Sequence, residues 1–378
     1  MKKIMKKIDN YIVILLFAGF LLGFAVWGLA AEDRYLSPNE NRVLQQLPEL
    51  SVDSVISGDF SEDFQRWQDD QFPLRDRWIT LRTALRLASG SRDINGVYFG
   101  KDSYLIEKLT PEAMDRQQFE KNLQAVQDFR NRLPSSVNLS VMAVPTTGSV
   151  MRDKLPRDAA VFDEDSFASE AAKKLAGCGW VDLYESFRKA AGEGRQLYYR
   201  TDHHWTTPAA EMAFTSWKPD VKLTSDRHPL TEEFLGSQYS KVLWGSGHAD
   251  TVEGYGTGAA EVMADGQRLD GGIYQERFLK EKDKYAVFLG GNYGRVEIEG
   301  SGKDGRLLIV KDSFANCFAP YAAEAYERVC MVDLRYFSGS LDEYAEENSI
   351  TEVLVLCSME NLINDKNLAA LSSRGRIL

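Results

Sequence analysis

The chain has 378 residues, 44% of them hydrophobic, and a formal net charge of −11. That is enough apolar material for one large or two modest folded units, which excludes a disordered chain. The acidic balance excludes nucleic-acid binding driven by the overall field, and no nucleic-acid partner is expected.

The first segment, MKKIMKK, carries four lysines, and Tyr11 to Ala30 is an uncharged run of twenty mostly apolar residues. That length spans a bilayer as a helix. Lysines before it, with Glu32 and Asp33 after it, predict a cytoplasmic tail at 1–10, a membrane anchor or uncleaved signal at 11–31, and an extracytoplasmic remainder at the cell membrane. Small residues near Gly28 and Ala30 leave a cleavable signal peptide as the alternative, although the apolar core of such a peptide usually runs only about 7–15 residues.

Residues 32–94 are rich in charge, contain Pro38, Pro48 and Pro73, and read as a stalk and helical preamble with a helix over Ile79 to Leu87. From Asn95 to the end the texture predicts a single folded domain. NGVYFGKDSYLIE reads as a hairpin turning at Gly100, Lys101 and Asp102. FEKNLQAVQDFRNRL has helical spacing, and VNLSVMAVP is a buried strand ending at Pro145. The helix SFASEAAKKLAG, a short strand in GWVDLYESF, the segment LYYRTDHHW and a helix opening near Thr206 with Pro208 in its first turn follow.

Residues 218–280 are rich in Gly, Ser and Thr and read as a loop-rich insertion of loops and short strands. Beyond it, KYAVFLGG, GRVEIEG, GRLLIVKDS, VCMVDL and ITEVLVLCS read as strands, with PYAAEAYERV helical. Buried runs separated by helices predict an α/β three-layer sandwich built on a parallel sheet. Cys178, Cys317, Cys330 and Cys357 make no C-x-x-C pair, so they read as small buried side chains, although an exported chain also permits a disulfide.

In open α/β sheets functional groups gather at the carboxyl ends of strands. One such end is Lys311-Asp312-Ser313, where Ser313 would project above the sheet edge. A plain turn or helix-capping serine is the alternative. The second candidate is Asp202-His203-His204-Trp205. On an extended segment side chains alternate faces, so Asp202 and His204 share one side and His203 takes the other. Adjacent histidines then do not converge on one ion, and no metal site is expected. An aspartate two residues before a histidine suits a carboxylate that orients an imidazole base, and a serine hydroxyl needs such a base. Gly290-Gly291-Asn292 is a third candidate: close backbone approach and an amide donor suit an oxyanion, and a hairpin turn is the alternative. Tyr199 and Trp205 are candidates for stacking on a sugar, with core packing as the alternative.

These residues resemble the DHHW family of SGNH-hydrolase-like proteins, the group that includes the alginate O-acetylation proteins. TDHHW and the later KDSF carry the resemblance, with support from NENR (39–42), FPLRDRW (72–78), GVYFGKDSYLIE and VPTT. The resemblance implies an SGNH-like domain in circularly permuted order, Asp202 and His204 preceding Ser313, with Ser313 as nucleophile, His204 as general base and Asp202 as its orienting acid. Ser313, Gly291 and Asn292 are the expected oxyanion-hole contributors. It further implies an extracytoplasmic O-acetyltransferase, using no cofactor, that acetylates an exported or cell-wall polysaccharide with acetyl groups supplied by a membrane-bound O-acyltransferase-type partner. The alternatives are a carbohydrate acetyl esterase and a non-catalytic anchored scaffold of a polysaccharide export complex.

Overall fold

The computed structural model describes residues 2–40, 42–245, 248–303 and 305–373, the side chains of 2–10 excepted; Asn41 of the NENR segment lies outside them. Two compact units result, Met1–Gly90 with Val242–Trp244, and Ser91–Lys241 with Gly245–Leu378.

In the smaller unit, helix α1 (Lys2–Ala30) contains the run Tyr11–Ala30, the one helix among the described residues long and apolar enough to cross a membrane. Three further helices follow, α2 (Val52–Ser57), α3 (Asp59–Gln71) and α4 (Arg75–Ala88), where one over Ile79 to Leu87 was expected. Ser51 and Ser54 form a reciprocal capping box at the start of α2, and Gly58, at φ 89°, ends it in the left-handed conformation that glycine adopts without strain. Buried Asp70 accepts from the Arg42 guanidinium and, at 2.9 Å, from the Gln45 N–H, fixing the segment that precedes α2.

The larger unit is built on an eight-stranded sheet: β1 (Asn138–Val144), β2 (Gly179–Trp180), β3 (Glu261–Ala264), β4 (Gln267–Arg268), β5 (Arg295–Glu299), β6 (Arg306–Lys311), β7 (Arg328–Val332) and β8 (Glu352–Ser358). The spatial order is β4-β3-β5-β7-β6-β8-β1-β2. The sheet is mixed, which corrects the expectation of a parallel one. β7, β6, β8, β1 and β2 run parallel, whereas β5 pairs antiparallel with β7 and β3, and β3 with β4. Two more corrections concern the same arm. The 218–280 region is not all insertion, because β3 and β4 join the central sheet; and KYAVFLGG forms a 3₁₀ turn at Lys284–Val287, not a strand.

The central strands are buried on both faces, so they read as continuous apolar runs. On one face Leu308, Val310, Val353 and Val355 pack beneath α5 (Arg116–Arg132) and α6 (Glu164–Lys174), through Phe119, Phe129 and Ala171. On the other, Leu307, Ile309, Leu354 and Leu356 meet α7 (Tyr184–Gly192), α8 (Thr207–Trp217) and α9 (Ala319–Ala325), through Phe187, Phe214 and Tyr321. This is the three-layer SGNH-hydrolase-like arrangement. All four cysteines are buried and free.

Candidate active site

Parallel strands place their carboxyl ends at one edge, and four of them furnish the lining of one cleft of about 370 Å³. Thr146, Thr147 and Gly148 follow β1, Ser313 and Phe314 follow β6, Arg335 follows β7, and Ser358, Glu360 and Asn361 end β8 or follow it. Glu107, Leu109, His203, Ser237 and Lys241 complete its wall.

Ser313 opens a 3₁₀ turn, Ser313–Asn316, capped by Asp312, whose carboxylate accepts the Phe314 N–H at 2.9 Å. The other Asp312 oxygen accepts from the Ser358 N–H and the Asn361 amide, each at 2.7 Å. The serine is therefore held by a buried carboxylate that ties β6 to the end of β8. Pro320 stands in the first turn of α9, after the serine turn rather than inside it.

The segment TDHHW is a tight turn, not a strand. Tyr198 and Trp205 bridge antiparallel, and the Tyr199 N–H donates to the His204 carbonyl at 3.2 Å. Asp202 Oδ1 accepts the His204 backbone N–H at 2.9 Å, a local side-chain turn of the kind aspartate favours. The alternation rule therefore does not apply. The His203 and His204 rings lie side by side with centroids 3.9 Å apart, and the ligand-type atoms of Asp202, His203 and His204 all fall within 4.8 Å of one another. These atoms are engaged by hydrogen bonds: His203 Nδ1 stands 2.8 Å from Ser237 Oγ, and His204 uses both ring nitrogens in the chain described next.

His204 Nδ1 lies 2.6 Å from Asp202 Oδ1, and its Nε2 lies 2.8 Å from Ser313 Oγ. Burial alone would raise the Asp202 pKa, but the neighbouring imidazoles and hydrogen bonds from His204 and Ser237 hold the carboxyl well below its usual range. An ionised carboxylate only accepts, so Nδ1 carries the ring proton and Nε2 presents its lone pair to the serine hydroxyl. Burial, reinforced by His203 and opposed by Asp202, pushes the His204 pKa below its ordinary value, so the imidazole is neutral near pH 7.

Several residues that the sequence did not single out hold this arrangement. The Ser237 N–H donates to Asp202 Oδ2 at 2.7 Å, and the approach requires Gly236, because a Cβ there would sit 2.3 Å from that of Asp202. Asp250, also buried, accepts from the Arg200 and Thr201 N–H groups at 3.0 and 2.9 Å and braces the turn. Tyr285 stacks on His204 with centroids 3.9 Å apart, and its hydroxyl donates to the Ser313 carbonyl at 3.1 Å. A lone glycine, serine or aspartate within 218–280 carries no periodic signal, so Gly236, Ser237 and Asp250 leave no mark in the sequence pattern.

Tyr199 and Trp205, expected as sugar contacts, are instead core residues with 1% and 0% exposure. Trp205 Nε1–H donates to the Phe314 carbonyl at 2.9 Å, tying the histidine turn to the serine turn from behind. Gly291 and Asn292 lie beside Lys311: the Asn292 amide oxygen accepts from Lys311 Nζ at 3.0 Å, and the Gly291 carbonyl accepts from Asn316. Neither is among the residues that line the cleft with Ser313. In the cleft itself, burial and the Glu107 carboxylate push Glu360 up to about 7, whereas Arg335 is held by both Asp333 oxygens at 2.8 and 2.6 Å.

Residues 97–229 match the family model described as SGNH hydrolase-like domain, acetyltransferase AlgX. The probable alginate O-acetylase AlgJ of Pseudomonas aeruginosa is 27% identical over 220 residues, 57% of this chain and 53% of that one. Its counterpart from Azotobacter vinelandii is 23% identical over 227 residues, 55% and 52% of the two chains. The chain thus spans about half the length of these curated relatives. Among solved structures, a DHHW family protein from Eubacterium siraeum superposes with a TM-score of 0.61 at 24% identity, covering 73% of this chain and 95% of that one. Bacillus cereus PatB1 gives 0.61 at 20% identity, covering 75% and 99%; both likenesses concern the fold. Over residues 97–229 the chain is thus similar to the SGNH hydrolase-like domain of the acetyltransferase AlgX, and over about half its length to the probable alginate O-acetylase AlgJ.

Proposed function

We propose that this protein transfers acetyl groups to hydroxyls of an exported or cell-wall polysaccharide through a covalent acyl-serine, with Ser313 as nucleophile, His204 as general base and Asp202 as the group that orients it. The observation that carries the reading is the continuous hydrogen-bonded line from Asp202 through His204 to Ser313, opening onto a cleft. A scaffold has no need of a buried carboxylate, a neutral imidazole and a partly exposed serine in this order.

In the first step His204 Nε2 takes the Ser313 proton as Oγ attacks the acetyl carbonyl of the donor. The Phe314 N–H is committed to Asp312, leaving the Ser313 N–H to face the oxyanion. Collapse expels the donor's leaving group, which receives the proton from His204. A sugar hydroxyl then enters, loses its proton to the same nitrogen and takes the acetyl group, restoring Ser313. Glu360, partly exposed on the cleft wall, serves as a hydrogen-bond acceptor for the incoming sugar.

The Tyr11–Ala30 helix anchors the catalytic unit on the extracytoplasmic face, where a membrane-bound O-acyltransferase-type partner supplies the acetyl group. If water takes the place of the sugar, the same cycle is an acetyl esterase. Acetyl transfer to oligosaccharides measured beside free acetate decides between them: transfer rising with acceptor concentration is expected, and acetate release dominating at every concentration refutes the transferase. A trapped acetyl group found by mass spectrometry anywhere other than Ser313 refutes the triad.

A further inference from the structure

The helix α4, RDRWITLRTALRLA, is amphipathic in an unusual sense: its apolar stripe faces outward. Trp78, Leu81 and Leu85 fall within an arc of about 60° at 3.6 residues per turn, and Arg77 and Arg82 border it about 40° away on either side. Leu81 is 47% and Leu85 63% exposed. The opposite side is already used, Thr83 being buried and donating to the Val242 carbonyl at 2.9 Å.

What covers the stripe follows from its contacts with α1. Phe20, Phe24 and Gly28 recur every four residues along one side of the apolar run. Phe72 stacks on Phe24 with centroids 5.6 Å apart, Trp78 meets Phe24 at 5.9 Å and Phe20 at 6.4 Å, and Pro73 lies against Gly28. At 1.5 Å rise per residue, Phe24 lies about 9 Å and Phe20 about 15 Å inside the Ala30 end of the run. A tryptophan packed on both is at acyl-chain depth once that run spans a bilayer. The stripe formed by Trp78, Leu81 and Leu85 continues from the surface of the span onto α4.

We propose that α4 is an interfacial helix. It lies in the headgroup boundary of the bilayer that Tyr11–Ala30 crosses, on the side of Ala30, with Trp78, Leu81 and Leu85 among the acyl chains and Arg77 and Arg82 at the phosphates. The proposal rests on the membrane-spanning reading of Tyr11–Ala30. It treats the preamble as a membrane-bound collar, not a stalk standing in water, and the border of arginines with an aromatic and leucines inside it is the composition such helices use.

The full chain, reconstituted in vesicles of phosphatidylcholine and phosphatidylglycerol, is labelled with a nitroxide at Leu85→Cys or, separately, at Val13→Cys; the four native cysteines are buried. Collision with oxygen, which partitions into lipid, is compared with collision with a water-soluble nickel chelate. The expected result is that both labels favour oxygen over the nickel chelate. A Leu85→Cys label open to the nickel chelate, with Val13→Cys in lipid, overturns the proposal and leaves the span intact. A Leu85→Cys label shielded from both reagents overturns it in favour of a protein partner or a second copy of this chain. A nickel-exposed Val13→Cys label overturns the span and the proposal together.

Discussion

His204 Nε2 stands 2.8 Å from Ser313 Oγ across 109 residues of sequence. That contact joins a turn fixed by Asp202, Gly236 and Asp250 to one fixed by Asp312, so its length depends on two separately braced loops. Replacing Ser313 with Ala is expected to lower acetyl transfer by about a thousandfold or more. Thermal unfolding should move little, because the side chain is partly exposed and small. Transfer rates with the wild-type melting profile beside them check this; unchanged transfer removes Ser313 from the chemistry.

The acid limb of the rate profile should lie below the ordinary histidine value. As the proposed base, His204 acts only when neutral, and burial, followed by His203, lowers its pKa. Activity is therefore retained to a lower pH and lost as the pH falls through that lowered value. In His203→Gln the neighbouring imidazole no longer contributes, so the His204 pKa rises and the limb shifts upward. A pH series of kcat/KM on both proteins measures it, and a downward or absent shift contradicts the electrostatics.

Gly236→Ala should damage both stability and rate. Its Cβ would meet the Asp202 Cβ at 2.3 Å and Oδ2 at 2.4 Å, so the loop must retreat and the Ser237 N–H must leave Asp202. Overpacking of this kind costs about 1–3 kcal/mol. Chemical denaturation together with kcat tests the point; a variant with native stability and native rate would mean the close approach is not needed.

Asp312→Asn should act on the serine without touching substrate. The two Asp312 oxygens accept from three N–H donors, and an amide NH₂ in place of one oxygen faces donors instead of accepting from them. Leaving buried donors unmatched costs about 1–3 kcal/mol, and a loosened Ser313 turn should lower kcat more than it raises KM. Steady-state kinetics at saturating acceptor separate the two; an unchanged kcat would show that the cap does not position the nucleophile.

The three residues brought into line were legible as types and spacings. An apolar run ending in Lys311-Asp312-Ser313 marks a strand end, and Asp-x-His marks a carboxylate within reach of an imidazole. Two expectations differ from the structure, each for its own reason. Strand alternation does not hold at residues 202–204, which form a turn, so His203 lies against His204 and not on the far side. Aromatic type suits sugar stacking, but Tyr199 and Trp205 are buried in the core.

The sequence by itself determined the local matters: the apolar run Tyr11–Ala30, the buried central strands, the helices α5, α6, α8 and α9, and the order of Asp202, His204 and Ser313 along the chain. Periodicity and side-chain chemistry act over a few residues, and those signals survive without coordinates. Tertiary structure alone decided which strand lies beside which, the antiparallel direction of β5, the glycine approach at 236, the bracing by Asp250 and the outward face of α4. Each of these depends on what a distant segment presents across a gap of a few ångströms, and close packing leaves no trace of that distance in the order of residues.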